Sequence, residues 1–411
     1  MSVNRFRMEA ITKNSGIKAL VWGFVGVALF SIATGVEQTW LSKYIAEQGM
    51  DNELLFVIYG VAVAVSSWLS GVIAETIGVR RTMMAGYTIF VAGMAALAGV
   101  GMAQMSYPII VATYILKGLG YPLFIYTFIV WITYHIGKER LGTALGWFWV
   151  MCTGGMDVVG AYYGVAAKSL MGVVPTLWMT LAFATAGALL ALWVNRSADS
   201  NRFADGEVAE SKKESKIGQL LRGLAIIKHE PKVAVGGVVR MINTLSYSAF
   251  LVFMPLYLMQ YGIDDTEWAT IWGTAFSCNI VCNVIFGTLS DRIGWAKTIM
   301  GFGGVGCAVA VALFYYSPLI CNDFFFILLC GSLWGVMLAG FVPLGALVPS
   351  LVEKNKGAAV SVLNLGAGMA SFCGPLLVKA ISGWAGFQGV AWALVAIYLS
   401  SVGMTWWISR K

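Results

Sequence analysis

A short signature occurs twice in this chain, half a chain apart, and it constrains the fold more than any other feature. Each copy holds a glycine, an acid, a glycine and a base at one spacing: Gly71, Glu75, Gly78 and Arg81, then Gly287, Asp291, Gly294 and Lys297. Every position lies 216 residues from its counterpart. A second pair of similar segments begins at Arg140 and at Asn355, at an offset of 215 residues. Two repeats at nearly one offset indicate a duplicated half in parallel orientation.

Composition places both halves in a membrane. Hydrophobic residues make up 59% of the chain and charged residues 11%, with a mean hydropathy of +0.78, whereas soluble domains are about a quarter charged. Twelve apolar segments each approach the ~20 residues that cross a bilayer as a helix. We therefore predict an all-α integral membrane protein with twelve transmembrane helices, arranged as two six-helix bundles related by pseudo-two-fold symmetry. The first span is predicted over residues 18–40.

The longest polar stretch divides these segments six and six. It predicts an N-terminal bundle over residues 1–194, a cytoplasmic linker over 195–232 and a C-terminal bundle over 233–411. Within the linker, the apolar residues of 217–227 share one helical face, which indicates a helix lying at the membrane surface. A duplicated polytopic membrane half is typical of secondary transporters.

The basic residues set the predicted orientation. With the N-terminus inside, 22 of the 27 lysines and arginines fall on the cytoplasmic side, and only Lys43, Lys168 and Lys379 fall on the periplasmic side. This asymmetry is the positive-inside pattern, so we predict that both termini are cytoplasmic. The net charge of +7 therefore reflects topology and contact with a lipid bilayer, and it does not indicate nucleic-acid binding.

Four ionisable residues lie well inside the predicted spans: Glu37, Lys117, Asp157 and Arg240. A charge at the bilayer centre costs roughly 2.5–3.5 kcal/mol on insertion scales, so such residues face a partner or a watery cavity. Glu37, Lys117 and Asp157 belong to the N-terminal bundle at similar depth, which predicts one shared polar site. We interpret this site as a proton-coupling site. Burial favours the protonated form of a carboxylate and a nearby cation favours the ionised form, so a substrate that altered either contact would change proton binding. A static ion pair is the alternative.

Uncharged polar and aromatic residues suggest a site for hydroxyl groups. Arg240, Asn243 and Tyr247 fall at i, i+3 and i+7, on one helical face; Arg240 reaching to the cytoplasmic surface is the alternative. Amides offer a donor and an acceptor at once, which suits hydroxyls, although they also join neighbouring helices. The other candidate substrate-binding residues are Asn279, Asn283, Asn364, Tyr121, Tyr126, Trp131 and Trp334.

Motifs of enzymes and metal sites are missing from the sequence. It contains no GxxxxGK[ST], HExxH or GxSxG motif, and its two histidines lie in predicted cytoplasmic segments. The seven cysteines do not have zinc-ligand spacing. We therefore predict no enzymatic activity, no cofactor and no metal.

The duplicated signature resembles the GxxxDxxGxRR loop of the major facilitator superfamily, with Glu75 in place of the usual acid. This resemblance implies the major facilitator fold, and a cytoplasmic gate formed by the two sets of four signature residues. Lys117-Gly118-Leu119-Gly120 is similar to a fourth-span motif of the superfamily that usually begins with arginine. WGFVGVALF, GVEQTWLS and YGVAVAVSSWLSG, within residues 22–71, resemble the polyol permeases that import ribitol and D-arabinitol.

These observations lead to one functional expectation with two alternatives. We expect a monomeric transporter of a bacterial inner membrane that imports a pentitol with protons by alternating access. Glu37 would carry the proton, tuned by Lys117, with Asp157 as the second candidate; Glu37 and Asp157 are also candidate substrate ligands. A uniporter of sugars or polyols is one alternative. A proton-coupled carrier of small carboxylates, with Arg240 or Lys117 as the anion ligand, is the other.

Overall fold

The computed structural model describes residues 20–135, 138–196, 229–352 and 356–410, and this part of the chain is built of helices. The first half contains α1 (Leu20–Gly35), α2 (Asn52–Ile77), α3 (Val79–Gln104), α4 (Tyr107–His135), α5 and α6 (Val173–Val194). Helix α5 has three consecutive parts: Lys138–Thr153, a π-helical segment Gly154–Val159, and Gly160–Met171.

The second half repeats this order. It contains α7 (Pro231–Met259), α8 (Asp265–Ile293), α9 (Trp295–Ile320) and α10 (Phe324–Ser350). A last helical stretch, Lys356–Ser409, is interrupted at Gly386, where φ is 63°; we name the part before it α11 and the part after it α12. With this last pair counted as one, nine helices of the described residues are long and apolar enough to cross a membrane, and α1 is a shorter apolar helix.

Acidic side chains cap the N-termini of several helices. The Asp51 side chain accepts a hydrogen bond from the Leu54 N–H at the start of α2, at 2.8 Å. Asp264 and Glu267 form a reciprocal capping box at the start of α8. Asp323 accepts from the Phe326 N–H at the start of α10, at 3.0 Å. These carboxylates satisfy N–H groups that have no partner inside the helix.

The second glycine of each signature copy takes the same backbone geometry, with a positive φ. Gly78 (φ 95°, ψ 146°) ends α2 and begins α3, and Gly294 (φ 101°, ψ 136°) ends α8 and begins α9. Each glycine carbonyl accepts from a threonine hydroxyl four residues later, Thr82 at 3.0 Å and Thr298 at 3.1 Å. The two copies of the signature are therefore equivalent in structure as well as in sequence.

The first membrane segment differs from the predicted span over 18–40. Helix α1 ends at Gly35, residues 36–40 form a turn, and a short helix follows at Leu41–Glu47. Gly35 lies against the backbone of Met156 in α5, where a Cβ atom would not fit. The Gln38 N–H bonds the Gly35 carbonyl, three residues back, at 3.2 Å. As a result, the Thr34 carbonyl is left available for another donor.

Parts of the predicted linker and gate lie outside the described residues. Residues 197–228, which hold most of the linker and its surface helix, are not described, and neither is the side chain of Glu75. Helix α7 begins at Pro231, slightly before the predicted boundary at 233. The division into bundles at 194 and 233 stays a prediction.

Among the residues that the structure describes, the polar contacts between the two halves are concentrated toward one end. We name the end with Gly78 and Gly294 the signature end, and the end with the α7–α8 and α11–α12 turns the opposite end. Among the described residues, the hydrogen bonds and ion pairs between the halves lie at the opposite end or at mid-depth. The Ser42 hydroxyl, for example, donates to the Val252 carbonyl at 2.8 Å, and the Tyr162 hydroxyl lies 3.2 Å from that of Thr274. The opposite end is therefore closed.

Alanine at Gly78 should destabilise the protein, because a φ near +95° with extended ψ is open to little besides glycine. We expect a loss of ~1–3 kcal/mol, seen as a lower Tm in detergent. Gly71→Ala is the matched control: Gly71 is helical, a Cβ there meets open space, and alanine favours a helix. Equal loss of stability in both variants would contradict a special role for the Gly78 backbone.

Candidate functional site

A buried ion pair lies at the centre of the first half. The Lys117 ammonium group of α4 bonds Glu37 Oε1 and also donates to the Thr34 carbonyl at 3.2 Å. Both side chains are 0% exposed. The turn after Gly35 creates this arrangement, because it places Glu37 against α4 and leaves the Thr34 carbonyl without a helical partner. The structure thus brings together the first two predicted proton-coupling residues.

Aromatic rings enclose the lysine. The Lys117 Nζ lies 5.0 Å from the ring centre of Tyr114 and 5.4 Å from that of Tyr59, within the range of cation–π attraction. The two rings stack on each other, with centres 4.4 Å apart. The second carboxylate oxygen of Glu37, Oε2, is buried and has no hydrogen-bond partner among the described residues. This oxygen has the capacity to bind a proton.

Asp157 is separate from that pair. It lies in the π-helical segment of α5, a type of distortion that is frequent at functional sites. Its side chain is 3% exposed, and its Oδ1 accepts from the Tyr247 hydroxyl of α7 at 2.8 Å. Among the described residues, Asp157 makes no ion pair. The structure therefore joins this acid to the second half of the protein rather than to Lys117.

The predicted polar face of α7 is partly buried. Arg240, Asn243 and Tyr247 are each half-buried. The Arg240 guanidinium forms no ion pair with a described acid, and the Asn243 amide makes no side-chain hydrogen bond to a described residue. The Tyr126 hydroxyl of α4 lies within electrostatic range of Arg240. These groups keep hydrogen-bonding capacity that a solute could use.

The three aromatic candidates of α4 differ in their surroundings. Tyr121 and Tyr126 are half-buried, with ring centres 6.0 Å apart, and the proximity of Tyr126 to Arg240 places this pair beside the α7 face. Trp131 is 6% exposed and stacks on the Phe128 ring, with centres 5.2 Å apart. Tyr121 and Tyr126 are therefore partly accessible beside the α7 face, whereas Trp131 belongs to the packed interior of the first half.

The remaining predicted ligands differ in their availability. Asn279 of α8 donates to the Gly335 carbonyl of α10 at 2.9 Å, and Asn283 donates to the Asn279 side chain at 3.1 Å. The Asn279 amide therefore joins two helices, the alternative named above, and the Asn283 amide bonds within α8; their substrate role stays a prediction. Trp334 is 0% exposed and donates to the Ser246 hydroxyl at 3.0 Å. Asn364 of α11 is exposed and makes no side-chain hydrogen bond to a described residue.

Ion pairs between the halves close the opposite end. Asp265, at the start of α8, accepts from Lys43 at 2.7 Å and from Lys168 at 2.6 Å, and all three side chains are largely buried. Lys379 and Asp51 form a more exposed pair at 2.5 Å. Exposed pairs contribute little, so the Asp265 cluster is the stronger contact.

The pKa of the Asp51 carboxyl, at the opposite end, is shifted by the groups around it. Partial burial raises the pKa of Asp51, while the hydrogen bonds from Lys379 and from the Leu54 N–H lower it by more, so the net pKa lies below its usual range. The stability that this group contributes is therefore present at neutral pH, and it is lost only as the pH falls through the lowered value.

The signature end carries the predicted gate residues. Arg81, Asp291 and Lys297 are exposed, and Asp291 accepts a hydrogen bond from the Trp295 indole at 3.0 Å, within its own half. Gly71 and Gly287 lie in helices with open space beside them. The gating role of the signature residues stays a prediction.

Three residues at the centre were not among the predicted site residues. Tyr59 and Tyr114 surround Lys117, and Gln38 lies 3.3 Å from the Tyr247 hydroxyl. Tyr114 precedes Lys117 by three residues, so helical spacing was a signal for it. Gln38 directly follows Glu37. Tyr59 had no local signal, because it reaches Lys117 from another helix.

Comparisons with known proteins agree with this architecture. A family model described as Major Facilitator Superfamily matches residues 236–411. The chain is 42% identical to a putative transporter, YoaB, of Bacillus subtilis, over 94% of this chain and 93% of the relative. It is 42% identical to an alpha-ketoglutarate permease of Bacillus subtilis, over 94% and 88%, and 33% identical to a D-arabinitol transporter of Klebsiella pneumoniae, over 97% and 93%.

A solved structure shares the fold. The nucleoside transporter NupG superposes with a TM-score of 0.73 at 14% identity, over 95% of this chain and 100% of that one. Membrane-length helices in two similar halves, packed around buried charges, define a polytopic membrane carrier. The chain belongs to the major facilitator superfamily, as its signature predicted, and its resemblance to polyol permeases is confirmed. These relatives are transporters, not enzymes.

Asp265→Asn should loosen the opposite end, because it removes the charge that holds Lys43 and Lys168 from the other half. We expect the population of molecules open at this end to rise about fivefold, the factor for roughly 1 kcal/mol. The measurement is the distance between spin labels on cysteines at Leu170 and Leu319, which are 83% and 59% exposed. Glu47→Gln, which alters only the 4.0 Å pair of Glu47 with Lys43 in the same helix, is the control. An unchanged distance distribution in Asp265→Asn would refute the role of this cluster.

Proposed function

We propose that this chain imports a linear sugar alcohol together with protons, by alternating access, across a bacterial inner membrane. The excess of basic residues on one side supports a cytoplasmic signature end and a periplasmic opposite end. With the opposite end closed, the described conformation corresponds to an inward-facing carrier. We also propose that it acts as a monomer.

The substrate proposal rests on one observation, which is that the acidic and basic side chains inside the predicted spans are equal in number. Glu37 and Lys117 neutralise each other, and one further acid, Asp157, is matched in number by one further base, Arg240. A neutral substrate preserves this balance, whereas an anion adds a charge that needs its own partner. Asn243, Tyr121 and Tyr126 are half-buried groups that suit hydroxyls. The D-arabinitol relative supports the same substrate class.

Glu37 is the proposed proton site. Its Oε1 is bonded to Lys117 while its buried Oε2 has no described partner. A proton on this carboxyl would weaken the ion pair, and deprotonation would restore it. Asp157 is the second candidate, because it is a buried acid without a described basic partner.

A small carboxylate is the second candidate substrate. Arg240 is half-buried and makes no described ion pair, and a guanidinium is suited to bind a carboxylate through two parallel hydrogen bonds. The relative named as an alpha-ketoglutarate permease favours this candidate. In this case a co-transported proton would offset part of the anion's charge.

Ligand-dependent thermal stabilisation separates the two substrate classes. A ligand that binds the folded state raises its stability by mass action. We expect ribitol, D-arabinitol or xylitol to raise the Tm of the purified protein, and Asn243→Ala to weaken this effect by about tenfold in apparent Kd. Stabilisation by alpha-ketoglutarate alone, lost in Arg240→Gln, would replace the polyol proposal with the carboxylate one.

Glu37→Gln should abolish proton-driven accumulation in vesicles while exchange of labelled for unlabelled substrate continues. The amide keeps the size of the side chain but cannot gain or lose the proton. Because Glu37→Gln leaves Lys117 without its charge partner, the Glu37→Gln/Lys117→Gln double variant is the control for charge imbalance. Accumulation that returns in the double variant would show that the pair is structural and that Glu37 does not carry the proton.

A further inference from the structure

Tyr247 joins the two halves at mid-depth. Its hydroxyl lies 2.8 Å from Asp157 Oδ1 and 3.3 Å from Gln38 Oε1. Tyr247 belongs to α7 in the second half, whereas Asp157 and Gln38 belong to the first. The other described polar contacts between the halves lie nearer the opposite end. The Tyr247 contact is therefore the innermost bond of the closed side, and it must break if the halves separate there.

The hydroxyl has a single proton to donate, so it can serve one acceptor at a time. An ionised Asp157 is the preferred acceptor, because a hydrogen bond to a charged group is roughly twice as strong as a neutral one. A protonated Asp157 loses that advantage. Only neutral hydrogen bonds then connect Tyr247 to the first half.

We propose that Tyr247 is a positioning residue that converts the protonation state of Asp157 into the strength of the contact closing the opposite end. Ionised Asp157 holds the halves together, and protonated Asp157 allows them to part. In the proposed proton-coupled cycle, release of the proton toward the signature end would keep the opposite end closed while substrate leaves. The inference rests on that cycle for its biological meaning only, since its test contains no substrate.

Several other titratable groups face Tyr247 and Asp157. Tyr59 of α2 and Tyr114 and Tyr126 of α4 lie within electrostatic range of Tyr247, and Cys152 lies near Asp157 on α5. Ordinary tyrosine and thiol pKa values lie at about 10 and about 8.5, above the range tested below. The Trp272 ring of α8, whose centre is 5.2 Å from that of Tyr247, also faces Asp157 but does not titrate.

Charged neighbours complete the surroundings. Arg240 lies on α7 itself, and the Glu37–Lys117 pair occupies the turn after α1 and helix α4. Arginine stays charged throughout the accessible pH range. Glu37 is thus the acid whose titration has to be separated from that of Asp157.

The test uses the full-length protein in lipid nanodiscs, with native cysteines replaced and spin labels at positions 170 and 319. Between about pH 8 and about pH 5.5, we expect the population open at the opposite end to rise about fivefold. Tyr247→Phe should show the larger open population already at the higher pH, with less than about a twofold change on acidification. Tyr257→Phe, which loses a 2.9 Å bond to the Tyr315 carbonyl within the second half, should keep the original pH response.

Two further variants make the outcome decisive. Asp157→Asn removes the titrating group and should behave as Tyr247→Phe does, which protects the test if one variant folds poorly. Glu37→Gln should retain the pH response. A pH response that persists in Tyr247→Phe and Asp157→Asn, or that disappears only in Glu37→Gln, would overturn the inference. Failure of every polyol to bind, with the pH response intact, would count against the substrate proposal alone.

Discussion

A charge inside a membrane needs an opposite charge or water, and this requirement organises the centre of the protein. Lys117 is stabilised by Glu37, by the Thr34 carbonyl and by the rings of Tyr59 and Tyr114. The Thr34 carbonyl is available only because α1 ends at Gly35. The local break in the first helix and the burial of the ion pair therefore depend on each other.

The two halves share one fold but contribute different chemistry. The first half supplies both central acids and the enclosed lysine, while the second supplies Tyr247, Arg240 and the amide of Asn243. Of these, Tyr247 touches the first half directly. In the proposed cycle, protons act mainly on the first half, and Tyr247 carries their effect across to the second.

Much of the fold could be predicted from the sequence, because the composition indicates membrane-spanning helices and the repeat offset indicates two similar halves. Apart from α1, which ends earlier than its predicted span, the helices follow the predicted apolar segments, and Gly78 and Gly294 adopt matching geometry. The site was less predictable. Apolar periodicity gave no sign that α1 stops at Gly35, because that break comes from a close approach to Met156 in a distant segment. Likewise, Asn279 and Asn283 share a helical face as predicted, but only the position of α10 shows that the Gly335 carbonyl takes up the Asn279 donor.

In the proposed cycle, the separation of Asp157 from Lys117 gives the two acids different tasks. Had the two acids shared one lysine, a proton on either would have acted on the same bond, and the halves would have felt it only indirectly. Instead, Glu37 is bonded within the first half, and Asp157 is bonded across to the second. One acid is therefore placed to change the interior of a bundle, and the other to change how the bundles meet. In the proposed proton-coupled cycle, the movement of the two halves needs a group in the second position, and Asp157 is the proposed one.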